Sequence, residues 1–357
     1  MATNFYTLAV KKIEKETNES VVITFDLPKE LSHTFEYLHG QYLTLRATIN
    51  GQDVRRSYSI CSSPFDKNMS VAIKKVTQGI FSTYANDVLK KGDTLQVMPP
   101  NGKFNTPLHQ LQQKKYVAIA CGSGITPILS IIKTTLLAEP KSTFTLLYSN
   151  KTRSSIMFFE ALEALKNKFV ARLTIIQLLS REKTDIPLLY GRIDTDKLTN
   201  FKKIIDYNNI DEYYICGPEN MILDTKKFLV DNGISPKKIH FELFASSTPK
   251  LPIIDTTLTD NAIAKSTISL KLDGRTTTFK LATNGNSILD EAMQQGADLP
   301  YACKGGMCCT CKAKLISGKV TMDVNYALED EELEQGYILT CQAHPITPEV
   351  SIDFDAN

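Results

Sequence analysis

Nowhere in the 357 residues is there an unbroken apolar run of the roughly 20 residues that a membrane helix requires. The most apolar long stretch, YVAIACGSGITPILSII at 116–132, is interrupted by Gly, Ser, Thr and Pro. No membrane association is expected. The opening MATNFYTLAVKKIEKETNES lacks the apolar segment and small-residue cleavage site of an export signal, so a cytoplasmic location is expected. Charge of one sign is also missing: 41 Lys and Arg stand against 39 Asp and Glu, a formal +2 spread along the chain. That leaves no basic footprint for phosphate backbones and excludes nucleic acid as an expected partner. Repeats and low-complexity tracts are absent as well. Cysteine is sparse over most of the chain, with Cys61, Cys121 and Cys216 standing singly, yet five of the eight fall between 303 and 341. In a reducing compartment, such clustering points to a metal centre rather than a disulfide framework.

The length exceeds what one core serves, and the pattern changes twice along the chain. Over residues 1–106, short β-patterned runs (SVVITFDL, QYLTLRATI, RRSYSIC, MSVAIKKV, DTLQVMPP) alternate with turn signals, which predicts a small antiparallel barrel. Over 114–245, buried strands alternate with helical stretches, as in YVAIAC followed by TPILSIIKTTLLAE, which predicts a parallel sheet with both faces covered. The Pro-, Ser- and Thr-rich stretch over 246–265 has no sustained period and is expected to be a linker. Residues 266–357 form a third unit of strands, one helix and the cysteine loop. The expected fold class is therefore multidomain, combining β and α/β parts.

In PYACKGGMCCTCKAK (300–314), Cys303, Cys308 and Cys311 read C-x4-C-x2-C, and Cys341 lies farther on. This is the ligand spacing of a plant-type [2Fe–2S] cluster. A zinc ribbon would ordinarily supply two short knuckles, and only Cys308 and Cys311 form one here. Gly305 and Gly306 are expected to take positive φ angles and let backbone N–H groups approach the sulfur. Cys309 breaks the register and is expected to point away as a bystander. The wider stretch SILDEAMQQGADLPYACKGGMCCTC with YILTCQAHP resembles plant-type ferredoxins. That resemblance implies a β-grasp fold and a one-electron centre.

The text RSYS at 56–59, followed by VAIKKV and GIFSTYAND, resembles the ferredoxin–NADP reductase superfamily. The resemblance implies that Arg56 pairs with flavin phosphates, Tyr58 packs on the isoalloxazine and Ser59 reaches toward its reactive nitrogen. Gly79 through Thr83, including Phe81 and Ser82, would open a helix whose N–H groups receive a pyrophosphate, which favours FAD. CGSGITP at 121–127 follows an apolar strand but has Pro127 where a dinucleotide fingerprint would carry its third glycine. Its expected geometry is a helix start beside the turn of Gly122 and Gly124, with Thr126 as N-cap and Pro127 at the first helical position. In the superfamily, such a turn takes the nicotinamide dinucleotide. Cys216, Gly217 and Pro218 then resemble the CGP turn where nicotinamide meets flavin, with the Cys near the reacting carbon. FELF at 241–244 resembles the closing strand, whose Glu242 and Phe244 approach the flavin. Ser180 and Arg181, after LTIIQLL, resemble a Ser-Arg pair for a ribose 2′-phosphate, which points to NADPH. Asn150 and Lys151 are further candidates for the dinucleotide site, though SNK at 149–151 departs from the usual GNR-like text.

The order of flavin, nicotinamide and ferredoxin modules resembles the reductase components of multicomponent oxygenases. It implies electron delivery from NADPH through FAD and the cluster to a separate di-iron oxygenase. A Rieske dioxygenase or fatty-acyl hydroxylase as acceptor remains open, as does a redox sensor without turnover. His39, His344 and the acidic run LEDEELEQG at 328–336 read as a chance match, a residue beside the cluster and a solvated helix start.

Overall fold

The computed structural model describes residues 4–244 and 265–356, which fall into two compact units divided after Phe244. The linker expected over 246–265 lies, apart from Lys265, outside the described residues.

The first unit begins with six antiparallel strands, β1 (Tyr6–Thr17), β2 (Ser20–Asp26), β3 (Tyr42–Ile49), β4 (Gln52–Ser59), β5 (Ser70–Lys74) and β6 (Thr94–Val97), with helix α1 (Ile80–Asp87) between β5 and β6. Their spatial order is β4-β3-β6-β1-β2-β5. An antiparallel bridge from Ile60 to Val71 joins the two end strands and closes the barrel. Alternation along the strands turns Leu8, Val10, Ile23, Leu43 and Leu45 into the interior, each at most 1% exposed.

The second half of this unit alternates strand and helix: β7 (Lys115–Cys121), α2 (Ile125–Ala138), β8 (Thr143–Asn150), α3 (Phe159–Lys168), β9 (Leu173–Leu179), α4 (Thr195–Phe201), β10 (Glu212–Gly217), α5 (Glu219–Asp231) and β11 (Ile239–Leu243). All five strands are parallel, in the order β11-β10-β7-β8-β9. The order reverses between β7 and β10, so a crevice opens at their carboxyl ends. Helix α2 seals this sheet to the barrel. Ser130 Oγ donates to the Ser62 carbonyl at 2.7 Å, Ser63 and Thr134 share a hydroxyl contact at 2.9 Å, and Lys133 pairs with Asp66.

The second unit is a mixed sheet, β13-β12-β18-β14-β16, built from β12 (Lys265–Leu272), β13 (Arg275–Ala282), β14 (Lys312–Ser317), β16 (Tyr337–Leu339) and β18 (Glu349–Asp353). Strands β15 (Val320–Met322) and β17 (Ala343–Pro345) form a separate pair. Helix α6 (Ile288–Gln294) buries Ile288, Leu289 and Ala292 and is capped by Ser287, whose hydroxyl accepts the Asp290 N–H. The acidic run opens the short helix α7 (Asp330–Glu334), where Glu329 and Glu332 form a reciprocal capping box.

His39, just before β3, is 4% exposed, and its Nε2 has no hydrogen-bond partner among the described residues. Burial lowers its pKa from 6.5 to about 4, against a smaller opposing contact with the Thr106 backbone. Between those values the unfolded chain binds a proton that the folded chain refuses. This residue therefore removes stability as pH falls, with a slope approaching ~1.4 kcal/mol per pH unit. Urea unfolding followed by circular dichroism at pH 7 and pH 5 will show a shallower loss in His39→Gln than in the parent; equal losses would contradict this.

Candidate redox site

Two turns at the reversal of strand order pack backbone against backbone. A Cβ at Gly124 would stand 2.2 Å from the Cys216 carbonyl oxygen, and one at Gly217 would stand 2.9 Å from Cys121 Cβ. Neither position accepts a side chain, so the two turns pack main chain on main chain, and the open side of the cradle lies at Gly122, where a Cβ would meet nothing within 4 Å. This cradle fits the pyrophosphate of a dinucleotide.

The helix start there differs from the expected one. A 3₁₀ turn over Gly122–Gly124 precedes α2, and Gly124, not Thr126, is the N-cap. Close packing of Gly124 on β10 winds the chain two residues earlier than local sequence suggests. The Thr126 hydroxyl consequently back-bonds to the Ser123 carbonyl at 3.0 Å. Pro127 sits third in the helix, where its missing N–H costs nothing because the first turn's donors have no intrahelical acceptor.

Strand β10 ends at Cys216 and Gly217, and register places Cys216 beside Glu242 of β11. Cys216 is wholly buried; burial, then the nearby Glu242 carboxylate, hold its thiol protonated. Ser59, at the end of β4 and 4% exposed, donates its hydroxyl to Glu242 Oε2 at 3.1 Å. Residues from positions 59, 216 and 242 thus meet where barrel and sheet join. Burial pushes the Glu242 carboxyl up to about 7, only partly offset by the Ser59 hydrogen bond. Phe244 follows β11 and packs, half-buried, against the core beneath the parallel sheet.

Along β4, the side chains alternate. Arg56 is exposed, with one guanidinium N–H on the Arg55 carbonyl at 2.7 Å, and Tyr58 is half-buried against Phe81, ring centroids 5.6 Å apart. Gly79 is the N-cap of α1. Phe81 and Ser82 point inward, 1% and 6% exposed, and the Ser82 hydroxyl accepts the Val76 N–H at 3.1 Å. What this end of α1 can offer a ligand is main-chain N–H.

Ser180 and Arg181 follow β9 and are zipped to the loop after β8. Ser180 N–H reaches the Asn150 carbonyl at 2.9 Å and Arg181 N–H the Lys151 carbonyl at 2.8 Å. The neighbouring Glu182 accepts the Arg153 N–H at 2.8 Å. Arg181 is exposed beside the strand end, and Lys151, Arg153 and Glu182 around it are exposed as well.

In the second unit, the four thiols stand as two pairs. Cys303 and Cys308 sulfurs lie 3.2 Å apart, and Cys311 is hydrogen-bonded to Cys341. Among the described residues, no three His, Cys, Asp or Glu side chains are gathered as a single metal ion would need. Two pairs fit a two-iron cluster, in which each iron takes two thiolates. The Cys308 thiol and the N–H groups of Gly305, Met307 and Cys308 lower the Cys303 pKa toward thiolate against the opposing effect of burial; the Gly305 N–H stands 3.3 Å from its sulfur. The positive φ angles belong to Lys304 (51°) and Gly306 (72°), not to Gly305. Gly306 alone is sterically required, since its Cβ would meet Val324 at 2.9 Å, whereas one at Gly305 would find nothing closer than 3.8 Å. Cys309 donates to the Ala327 carbonyl at 3.2 Å, away from the pairs. His344 is bonded to Asp323 rather than to the thiols. Sequence reasoning passed over Gln342, 5% exposed, whose amide N–H groups reach the Lys304 and Cys341 carbonyls and lie 3.6 Å from Cys341 Sγ. A polar side chain directly after the last cysteine was the available signal.

Iron analysis and visible absorbance separate these roles. Cys309→Ser retains about two irons per chain, and Gly306→Ala loses most of them because the loop cannot close. Loss in the first variant, or retention in the second, contradicts the assignment.

Comparison with known proteins follows the same division. Residues 7–106 match the oxidoreductase FAD-binding domain, 118–227 the oxidoreductase NAD-binding domain, and 270–345 the 2Fe-2S iron-sulfur cluster binding domain. The chain is 45% identical over 355 residues to one of the subunits of the 1,2-phenylacetyl-CoA epoxidase of Escherichia coli (strain K12), covering 99% of each chain. It is 33% identical to the ferredoxin reductase component of the 3-ketosteroid-9-alpha-monooxygenase of Rhodococcus rhodochrous, over 97% of this chain and 96% of that one. Phthalate dioxygenase reductase, a solved structure 23% identical, shares the fold with a TM-score of 0.61 over 98% of both chains. With an FAD-binding, an NAD-binding and a 2Fe-2S domain in one polypeptide, matched end to end by such proteins, the chain belongs to the family of oxygenase reductase components.

Proposed function

We propose that this reductase draws electrons from NADPH and delivers them to a separate di-iron oxygenase of the phenylacetyl-CoA epoxidase kind. In this reading, residues 1–106 hold FAD, 114–245 receive the nucleotide, 246–265 link, and 266–357 carry the cluster. The observation that carries it is the Ser59–Glu242 hydrogen bond beside Cys216, which brings a barrel strand and the nucleotide sheet's switch point to one place. The acceptor rests on the 45% identity over 99% of the Escherichia coli relative. A different oxygenase is the second reading, favoured by the 33% identity to the Rhodococcus protein.

When bound, nicotinamide, flavin and cluster supply the redox chemistry, a hydride taken in and single electrons passed on. The protein orients and tunes. Arg56 and the N–H groups at the start of α1 would hold flavin phosphates, and Tyr58 would cover the ring system. Gly122, Gly124 and Gly217 would take the dinucleotide pyrophosphate, with Thr126, Pro127 and Pro218 shaping the two turns and Phe244 closing the site. Ser180 and Arg181 would bind the 2′-phosphate. Cys216, buried and held as a neutral thiol, adds no charge of its own at the meeting point. Glu242, titrating near neutrality, holds a proton at Oε1 or Oε2 on the acid side of pH 7. Cys303, Cys308, Cys311 and Cys341 would hold the irons.

Three experiments test this reading. Arg181→Ala raises KM for NADPH about tenfold or more, the loss of a charge-assisted hydrogen bond, while leaving NADH kinetics nearly unchanged; equal effects on both would reject the 2′-phosphate assignment. Flavin reduction is faster below pH 7 than above it, because an uncharged Glu242 opposes an arriving negative charge less than its carboxylate does. Glu242→Gln flattens that dependence, and an unaltered profile would remove Glu242 from the mechanism. Turnover with purified epoxidase and with a Rieske oxygenase, side by side, decides the acceptor.

A further inference from the structure

Strand β1 of the barrel carries a register shift between Lys15 and Thr17. The residue at the bulge is Glu16, and bulges re-aim side chains. Its carboxylate leaves the barrel and accepts the N–H of Phe158 at 2.6 Å. Phe158 is the residue before α3, is 7% exposed and has φ 60° and ψ 29°. A bulky aromatic in the left-handed region is uncommon and persists only where its surroundings hold it.

The contact continues inward. Tyr148 on β8 is fully buried, and its hydroxyl donates to the Gly122 carbonyl at 3.0 Å, with the Met157 carbonyl at 3.4 Å as a second acceptor. Gly122 has φ +55° and opens the turn that precedes α2. A chain of contacts thus runs from a barrel carboxylate, through the left-handed Phe158 and its neighbour Met157, to one phenol, and from that phenol to the first glycine of the turn.

We propose that Glu16 and Tyr148 are positioning residues for nucleotide binding: by fixing Phe158 and the Gly122 carbonyl, they hold the turn over 122–124 in the shape that receives a dinucleotide pyrophosphate. The inference rests on the reading of that turn as the dinucleotide site. It follows that the barrel contact and nucleotide affinity are energetically linked, and that the linkage is reciprocal. Neither residue touches the nucleotide. Glu16→Ala frees Phe158 to relax, whereas Glu16→Gln keeps an acceptor oxygen and most of the effect.

The test uses the full chain loaded with flavin and cluster. Calorimetric titration with NADP+, which binds without reacting, will show about fivefold or greater weakening in Glu16→Ala and in Tyr148→Phe, and near-parental affinity in Glu16→Gln. The double variant Glu16→Ala/Tyr148→Phe will lose less than the product of the single losses, as members of one network do. Hydrogen exchange without nucleotide supplies an independent reading: amides of residues 122–126 exchange faster in Glu16→Ala than in the parent. If Glu16→Ala lowers the melting temperature yet leaves NADP+ affinity within twofold and exchange over 122–126 unchanged, Glu16 is a structural clamp and the proposal is wrong. A parent protein that binds neither NADP+ nor NAD+ would instead sink the dinucleotide reading, while exchange still decides whether Glu16 and the turn are coupled. Should Tyr148→Phe fail to fold, the Ala and Gln variants at position 16 carry the test.

Discussion

A missing methyl group at Gly124 sets the rest of the redox site. With any side chain there, the turn after β7 could not lie on the Cys216 carbonyl, 2.2 Å from where a Cβ would stand. The same contact brings the carboxyl ends of β7 and β10 together and begins α2 early. In the same sheet, the strand that carries Cys216 near its end pairs with the one that carries Glu242. Glu242 in turn reaches Ser59 on the barrel. A steric contact between turns, a strand pairing and a hydrogen bond together align a cysteine, a carboxylate and a hydroxyl from distant parts of the sequence.

Burial does the electrostatic work at this junction. A carboxyl with a pKa of about 7 beside a thiol held protonated gives a site that is nearly neutral, where water ordinarily would have favoured charge. The cluster loop follows the opposite rule. There, backbone N–H groups and a neighbouring thiol favour negative sulfur at Cys303, which suits a group whose irons need thiolates. Both sites are tuned by main chain and burial far more than by cationic side chains.

Much of this was legible in the sequence because the signals are local. Buried parallel strands read as apolar runs, the cysteine spacing names its own chemistry, and turn residues separate the strands of the barrel. The pairs 303 with 308 and 311 with 341 needed coordinates. Other features were hidden because they depend on tertiary contacts. Thr126 looked like a cap, but packing of Gly124 against a strand far along the chain moved the helix start. Positive φ was expected at Gly305 and occurs at Lys304, where the hydrogen bond from Gln342 to the Lys304 carbonyl helps hold the backbone. Glu16 and Phe158 carry no motif, since a bulge and a left-handed aromatic arise from the way barrel and sheet meet. The raised pKa of Glu242 is invisible until its burial is known.

In the proposed reading, one chain takes electrons from a nicotinamide nucleotide and moves them to its cluster. Anaerobic titration of the fully loaded protein, followed by flavin absorbance and by electron paramagnetic resonance, addresses it most directly. The nucleotide is expected to bleach the flavin and raise the signal of a reduced [2Fe–2S] centre in the parent, and to bleach the flavin alone in Cys341→Ser. A parent protein whose flavin is reduced while its intact cluster stays oxidised at equilibrium would contradict it.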